Sequence, residues 1–267
     1  MPSFTRAEIQ KISAPFLEQY FEDGRSEVLK SGNSISRSSL PSEVAHKITK
    51  WIGTPSSSFL WVEGPIFTPA ERLLSAIAVL LCDSALDGEN PIPCVSFTPK
   101  STYSTEHTPD SKSRQEIVLI AMLYSIAAQL IQLLPQEIES TTNGFDTEIF
   151  EKLDGSFASV PTALGLIESL LANGPPTLMV IINRLQVAEC PSTTPHLKRF
   201  VELLKAYDPE HIVKALFITQ GSSPALAGTL DVLTEKINAR RMAQAKPGQA
   251  PKGWSSLGSM KIPDQTP

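Results

Sequence analysis

Apolar residues in this chain occur as short unbroken runs and as longer stretches at helical spacing, and from residue 42 onward the two alternate. The runs FLWV (59–62), IPCVSF (92–97), TLMVII (177–182) and KALFIT (214–219) predict strands. The third is the pattern of a strand buried on both faces. Helices are expected between them. The first covers 42–53, with Ser42 as N-cap, Val44, Ile48, Trp51 and Ile52 along one face, and Gly53 as the stop. Others cover 72–86, 117–134, 162–172 and 194–207, with a polar loop over 98–112 and an acidic turn over 146–154. Strands separated by helices imply an α/β fold, a mostly parallel sheet flanked by helices on both faces.

The ends of the chain follow a different pattern. Residues 5–30 predict one or two helices, with Ile9, Ile12, Phe16, Leu17, Tyr20 and Phe21 near helical period and Pro15 interrupting or opening one of them. The aromatic face of this segment can pack on the sheet or meet a partner. Serines dominate 31–42, a linker, so 1–40 is expected to be a helical extension and 41–235 the α/β domain. A last helix is expected to end near Arg241, and 236–267, rich in Pro, Gly, Ser and basic residues, to be a disordered tail. There is no internal repeat.

Composition adds modest constraints. The 267 residues are 41% hydrophobic and 19% charged, enough to build a sizeable core, and the net charge of −5 disfavours a nucleic-acid surface spread over the whole protein. Cys82, Cys94 and Cys190 form no CxxC pair and no metal-ligand spacing, and an odd count fits a reducing compartment. The first residues lack a signal-peptide core, so a cytoplasmic location is expected. The segment 117–134 is uncharged and close to membrane-span length. Ser125, Gln129 and Gln132 interrupt it, which favours a buried core helix over a membrane span or a partner-binding helix.

Four histidines lie scattered without HxxxH or HExxH spacing, so neither a metal nor a cofactor is expected. The acidic groups Glu148/Glu151/Asp154 and Asp83/Asp87/Glu89 read as solvated surface. GWSSLGS, from Gly253, fails the nucleophile-elbow pattern at Leu257. Arg240, Arg241, Lys246 and Lys252 lack the interleaved aromatics of a single-strand nucleic-acid site.

One ordered set of features goes further. Gly64-Pro65 follows a strand and precedes a long apolar helix; later come the strand LMVIIN and then ALFIT with a Ser/Pro loop. Over about residues 40–233 this resembles the P-loop NTPases of the STAND class, especially NACHT-like domains of the fungal type. The resemblance implies a three-layer P-loop NTPase-like domain behind the N-terminal helical extension. In that family the first motif reads like W-x-x-G-P-x-G-x-G-K-S. Here WVEGPIFTPAE keeps Trp61, Gly64 and Pro65, then has Phe67 and Pro69 at glycine positions, with Thr68 between them, Ala70 for the lysine and Glu71 for the hydroxyl. Glycines let backbone N–H groups converge on phosphate, the lysine adds charge, and the hydroxyl ligates magnesium. Losing a charge-assisted hydrogen bond of about 1.5–3 kcal/mol would alone weaken binding roughly ten- to a hundredfold.

The other motifs agree. A family strand-end pattern like h-h-h-h-D-A-L-D-E becomes LMVIINRLQVAE, with Asn183, Gln186 and Val187 at acidic positions and Glu189 two positions late as a base. An amide lacks the charge that magnesium requires. The strand-end T-S-R becomes Thr219-Gln220-Gly221, without the arginine. The resemblance therefore implies a non-catalytic interaction or signalling module that has lost nucleotide binding, with protein partners and neither nucleic-acid nor membrane partners. The enzyme alternative is an atypical nucleotide-binding ATPase or GTPase in which Glu71 is recruited to the metal.

Overall fold

The computed structural model describes residues 3–21, 23–32, 42–66, 69–87, 91–101, 113–139, 145–206 and 211–239. In chain order the described elements begin with β1 (Ser3–Thr5), α1 (Arg6–Leu17), α2 (Arg25–Gly32), α3 (Ser42–Gly53), β2 (Ser58–Gly64) and α4 (Pro69–Asp87). They continue with β3 (Cys94–Phe97), α5 (Arg114–Leu133), β4 (Glu137–Glu139), α6 (Thr147–Glu151), α7 (Val160–Ala172) and β5 (Thr177–Asn183). The last are α8 (Thr194–Lys205), β6 (Ile212–Gln220), α9 (Pro224–Ala227) and β7 (Lys236–Asn238).

Five strands form one parallel sheet in the order β3-β5-β6-β2-β7. The register of its centre runs from Ser58 opposite Lys214 to Gly64 opposite Gln220. Alternation along each strand divides the core in two. Leu60, Val62, Met179, Ile181, Leu216 and Ile218 face α3 and α4. Trp61, Leu178, Val180, Ile182, Ala215 and Phe217 face the layer that contains α1, α5, α7 and α8. Strands apolar on both faces are what a sheet sandwiched between helices requires.

The uncharged helix α5 is the centre of the larger core, with Leu119, Met122, Leu123 and Ala127 inaccessible to solvent. A capping box starts it: the Glu116 N–H donates to Ser113 Oγ at 3.2 Å, and the Ser113 N–H donates to Glu116 Oε2 at 3.0 Å. Its length and apolarity would suit a membrane span, but 72% of its most apolar window is enclosed by protein. Gln129, an apparent interruption, holds an edge strand: the Ser96 N–H donates to its Oε1 at 2.9 Å and its Nε2 donates to the Ser96 carbonyl at 2.7 Å. A side-chain amide thereby occupies backbone groups that would otherwise be an open sheet edge.

The N-terminal helices belong to these cores. Ile9 and Leu17 of α1 are buried with α5, and Phe16 and Tyr20 pack against the same cluster, while α2 lies on α4. Gly24 lets the start of α2 meet the end of β3. Its N–H donates to the Thr98 carbonyl at 2.7 Å, and a Cβ there would sit 2.6 Å from the Pro99 carbonyl oxygen. Gly24→Ala is therefore expected to destabilise the fold by about 1–2 kcal/mol in urea unfolding, because the obstacle is backbone. Gly53→Ala, where a Cβ meets nothing within 4 Å, should change stability much less.

Several expectations need correction. The tail expected from 236 starts with a strand: Trp61, Val62 and Glu63 pair with Lys236, Ile237 and Asn238. Residues 236–238 are strand and not helix, and residues 240–267 lie outside the described residues. The acidic turn over 146–154 contains helix α6, anchored by Phe150 in the core. Strands β1 and β4 pair antiparallel as a separate two-stranded sheet that the sequence pattern did not predict. Helix α4 begins at Pro69 instead of 72, and β3 at Cys94 instead of 92. Most of the linker (33–41) and of the polar loop (102–112) lies outside the described residues.

Candidate functional site

Neighbouring strands β2 and β6 send the chain to opposite faces of the sheet. After β2 it passes to α4 on one side; after β6 it turns at Gly221 into α9, whose Ala225 and Leu226 join the core on the other. Such a divergence, at the carboxyl ends of the strands, marks the place where open α/β sheets form a ligand crevice.

Three of the expected motifs converge there. Gly64 and Pro65 end β2, Thr219, Gln220 and Gly221 end β6, and Asn183 ends β5. The Gly221 N–H donates to the Gly64 carbonyl at 2.9 Å and extends the β2–β6 ladder past the strand. Both glycines have steric reasons. A Cβ on Gly64 would lie 2.5 Å from Leu74 Cδ1 of α4, and Gly221 has φ 81°. The Ile66 side chain leans on Gly221, its Cδ1 3.0 Å from where a Cβ would stand, and remains 54% exposed at the mouth. Phe67 and Thr68 lie outside the described residues, and Pro69, Ala70 and Glu71 open α4.

The strand-end side chains make internal bonds. Thr219 accepts from Trp61 Nε1 at 2.8 Å and donates to the Gly221 carbonyl at 2.7 Å. Asn183, 1% exposed, accepts from Ser75 Oγ of α4 at 3.3 Å. Its Nδ2 and the Nε2 of Gln220 are buried without a hydrogen-bond partner among the described residues. Arg184, which follows, is the one described non-glycine residue at positive φ, 56°. Gln186 and Val187 fall in a 3-10 turn, Leu185–Ala188, beside the crevice and outside the strand.

Beneath this floor lies an ion pair that the sequence pattern does not reveal, its carboxylate buried and its ammonium half-buried. Glu63 of β2 meets Lys236 of β7, Oε2 to Nζ 2.5 Å, and the same ammonium sits 3.8 Å from the Trp61 ring centroid. A glutamate within an apolar strand was the available signal, but its partner lies in a segment that reads as a tail.

An open cleft of about 490 Å³ adjoins the crevice, lined by Gln186, Glu189, Cys190, Thr194, Ser222 and Pro224. Glu189, the displaced candidate base, instead accepts from the Ala225 N–H at 2.5 Å and caps the start of α9. Among the described residues the acidic groups form no catalytic pair: Glu148 binds Lys152 on the surface and Asp83 binds Arg25, while Glu89 lies outside the described residues. No group of three or more His, Cys, Asp or Glu side chains with metal-binding geometry occurs among the described residues. Comparison with protein-family models, with curated proteins and with solved structures found no match to this chain.

Proposed function

We propose that this chain is a non-catalytic, NTPase-like interaction or signalling module, a strand–loop–helix scaffold that has lost the groups needed to hold a nucleotide. The observation that carries this reading is the neutrality of the crevice floor. Asn183, Thr219 and Gln220 project from the strand ends beside Gly64 and Gly221, and none of them is ionisable. A magnesium-bound triphosphate site needs a cation for the phosphates and an acid or hydroxyl for the metal. Here the Thr219 hydroxyl is engaged by Trp61 and Gly221, and the Asn183 amide oxygen by Ser75.

The remaining use of such a scaffold is its surface, and protein is the partner class this reading favours. A net charge of −5 argues against nucleic acid, and the enclosure of α5 argues against a bilayer. A cytoplasmic setting is part of the same proposal.

Titration of the full chain with a fluorescent ATP or GTP analogue and magnesium tests the loss of binding. No saturation is expected up to about 1 mM, whereas magnesium-dependent binding tighter than about 10 μM would favour an atypical nucleotide enzyme and overturn the proposal. Restoring the loop by combining Pro69→Gly, Ala70→Lys and Glu71→Ser should still give no hydrolysis, because Asn183 cannot supply the metal's acid. Turnover in that variant would contradict the role given to Asn183.

A further inference from the structure

Two thiols unused by the crevice meet near the C-terminal end of α4, on its sheet-facing side. Cys82, in the C-terminal half of that helix, and Cys94, the first residue of β3, bring their sulfurs to 3.3 Å. They are 1% and 7% exposed, and Ser96 Oγ lies 3.6 Å from the Cys82 sulfur. Above them Arg25 of α2 is ion-paired to Asp83, the neighbour of Cys82. A disulfide requires a sulfur separation of about 2.05 Å, so closure needs an approach of roughly 1.2 Å between side chains already in contact.

We propose that Cys82 and Cys94 are a thiol pair that forms a reversible intramolecular disulfide with hydroperoxides, tying α4 to the edge strand β3. The residues divide the chemistry. The Cys94 S–H donates to Cys82 and holds the Cys82 thiol below its usual range, against the opposing effect of burial, with Ser96 and Arg25 adding to the lowering. Cys94, as the donor and by burial, is pushed up. Cys82 is therefore the nucleophile and Cys94 the resolving thiol.

The Cys82 thiolate attacks one peroxide oxygen, the O–O bond breaks, and a sulfenic acid forms as the departing oxygen takes a proton and leaves as water (or as the alcohol from an organic hydroperoxide). Cys94 then attacks the Cys82 sulfur, the S–O bond breaks, and the hydroxyl leaves with the Cys94 proton as a second water. Two thiols lose two electrons and two protons, and one peroxide is reduced. Burial restricts both the oxidant and the thiol that reduces the bond to small molecules.

The test uses the full chain with Cys190→Ser, which removes the third thiol. The native protein is treated with a few equivalents of hydrogen peroxide, quenched, and then alkylated in denaturant. Both remaining cysteines lie in one tryptic peptide, 73–100. That peptide should resist alkylation and be lighter by two hydrogens, and dithiothreitol should restore both alkylation sites. Cleavage after Glu89 separates the cysteines, so two fragments held together until reduction identify the bridge. Near-ultraviolet circular dichroism of Trp51 and Trp61 reports that the fold persists through the treatment.

Full alkylation of both thiols after peroxide would overturn the proposal. So would overoxidation of Cys82 without a bridge, or a bridge that forms only in chaotrope. In the same background Cys94→Ser should leave the Cys82 sulfenic acid open to trapping by dimedone added with denaturant after the quench, whereas Cys82→Ser should leave Cys94 as a free thiol. The reverse pattern would overturn the division of roles.

Discussion

Lys236→Met is expected to lower folding stability by about 3–4 kcal/mol in urea unfolding at neutral pH. Glu63 is 2% exposed, and the 2.5 Å contact with Lys236 supplies its counter-charge. Removing the ammonium takes an opposite charge at 2.5 Å away from a largely buried carboxylate, and also removes the cation from the Trp61 face. Methionine preserves most of the apolar stem, so the loss reports on charge more than volume. The double variant with Glu63→Gln should be less destabilised than the sum of the single changes, by about 1.5 kcal/mol or more. Strict additivity would mean that the two groups do not depend on one another. A loss under about 0.5 kcal/mol in the single variant would show that water reaches Glu63.

That pair also marks the limit of what the chain pattern reveals. The four longer strands are visible because burial on both faces demands apolar runs, and 177–182 and 214–219 lie within β5 and β6. β7 carries three residues and one buried apolar side chain, Ile237, too few to establish a period of two. It is a strand because it pairs along the edge of β2, a condition set by residues far away in sequence. β1 and β4 are equally short and exist through each other. The gathering of Gly64, Asn183 and Thr219 at one edge was legible, since each ends a recognisable run and parallel strands place their ends together. The bonds from Trp61 and Ser75 were not, because they depend on which helix covers which strand.

Lys214→Met should cost about 2–4 kcal/mol at pH 7, and its effect should vary with pH in a defined direction. Lys214 of β6 is only 5% exposed, with its ammonium beneath the C-terminal end of α3. It donates to the Trp51 carbonyl at 3.3 Å, to the Ser56 carbonyl at 2.8 Å, to Ser58 Oγ at 3.0 Å and to the Thr54 carbonyl. The last carbonyls of a helix have no intrahelical partner and carry its negative dipole end, so a cation there satisfies both needs. Methionine fills the space and satisfies neither. Burial pulls the Lys214 ammonium from 10.5 to about 8. Between those values the unfolded chain binds more protons at this residue than the folded one, so folding gains stability as pH rises through the window. Below about 8 the full burial cost of the charge is present; above about 10.5 it is gone. Four acceptors and partial solvent screening offset much of this, leaving a gain of about 1–2 kcal/mol. The stability difference between wild type and Lys214→Met should therefore widen by that amount between pH 8 and 10 in urea unfolding. Parallel pH profiles would place the ammonium in water, and a narrowing difference would mean that the carbonyl cage holds the charge more strongly than burial opposes it.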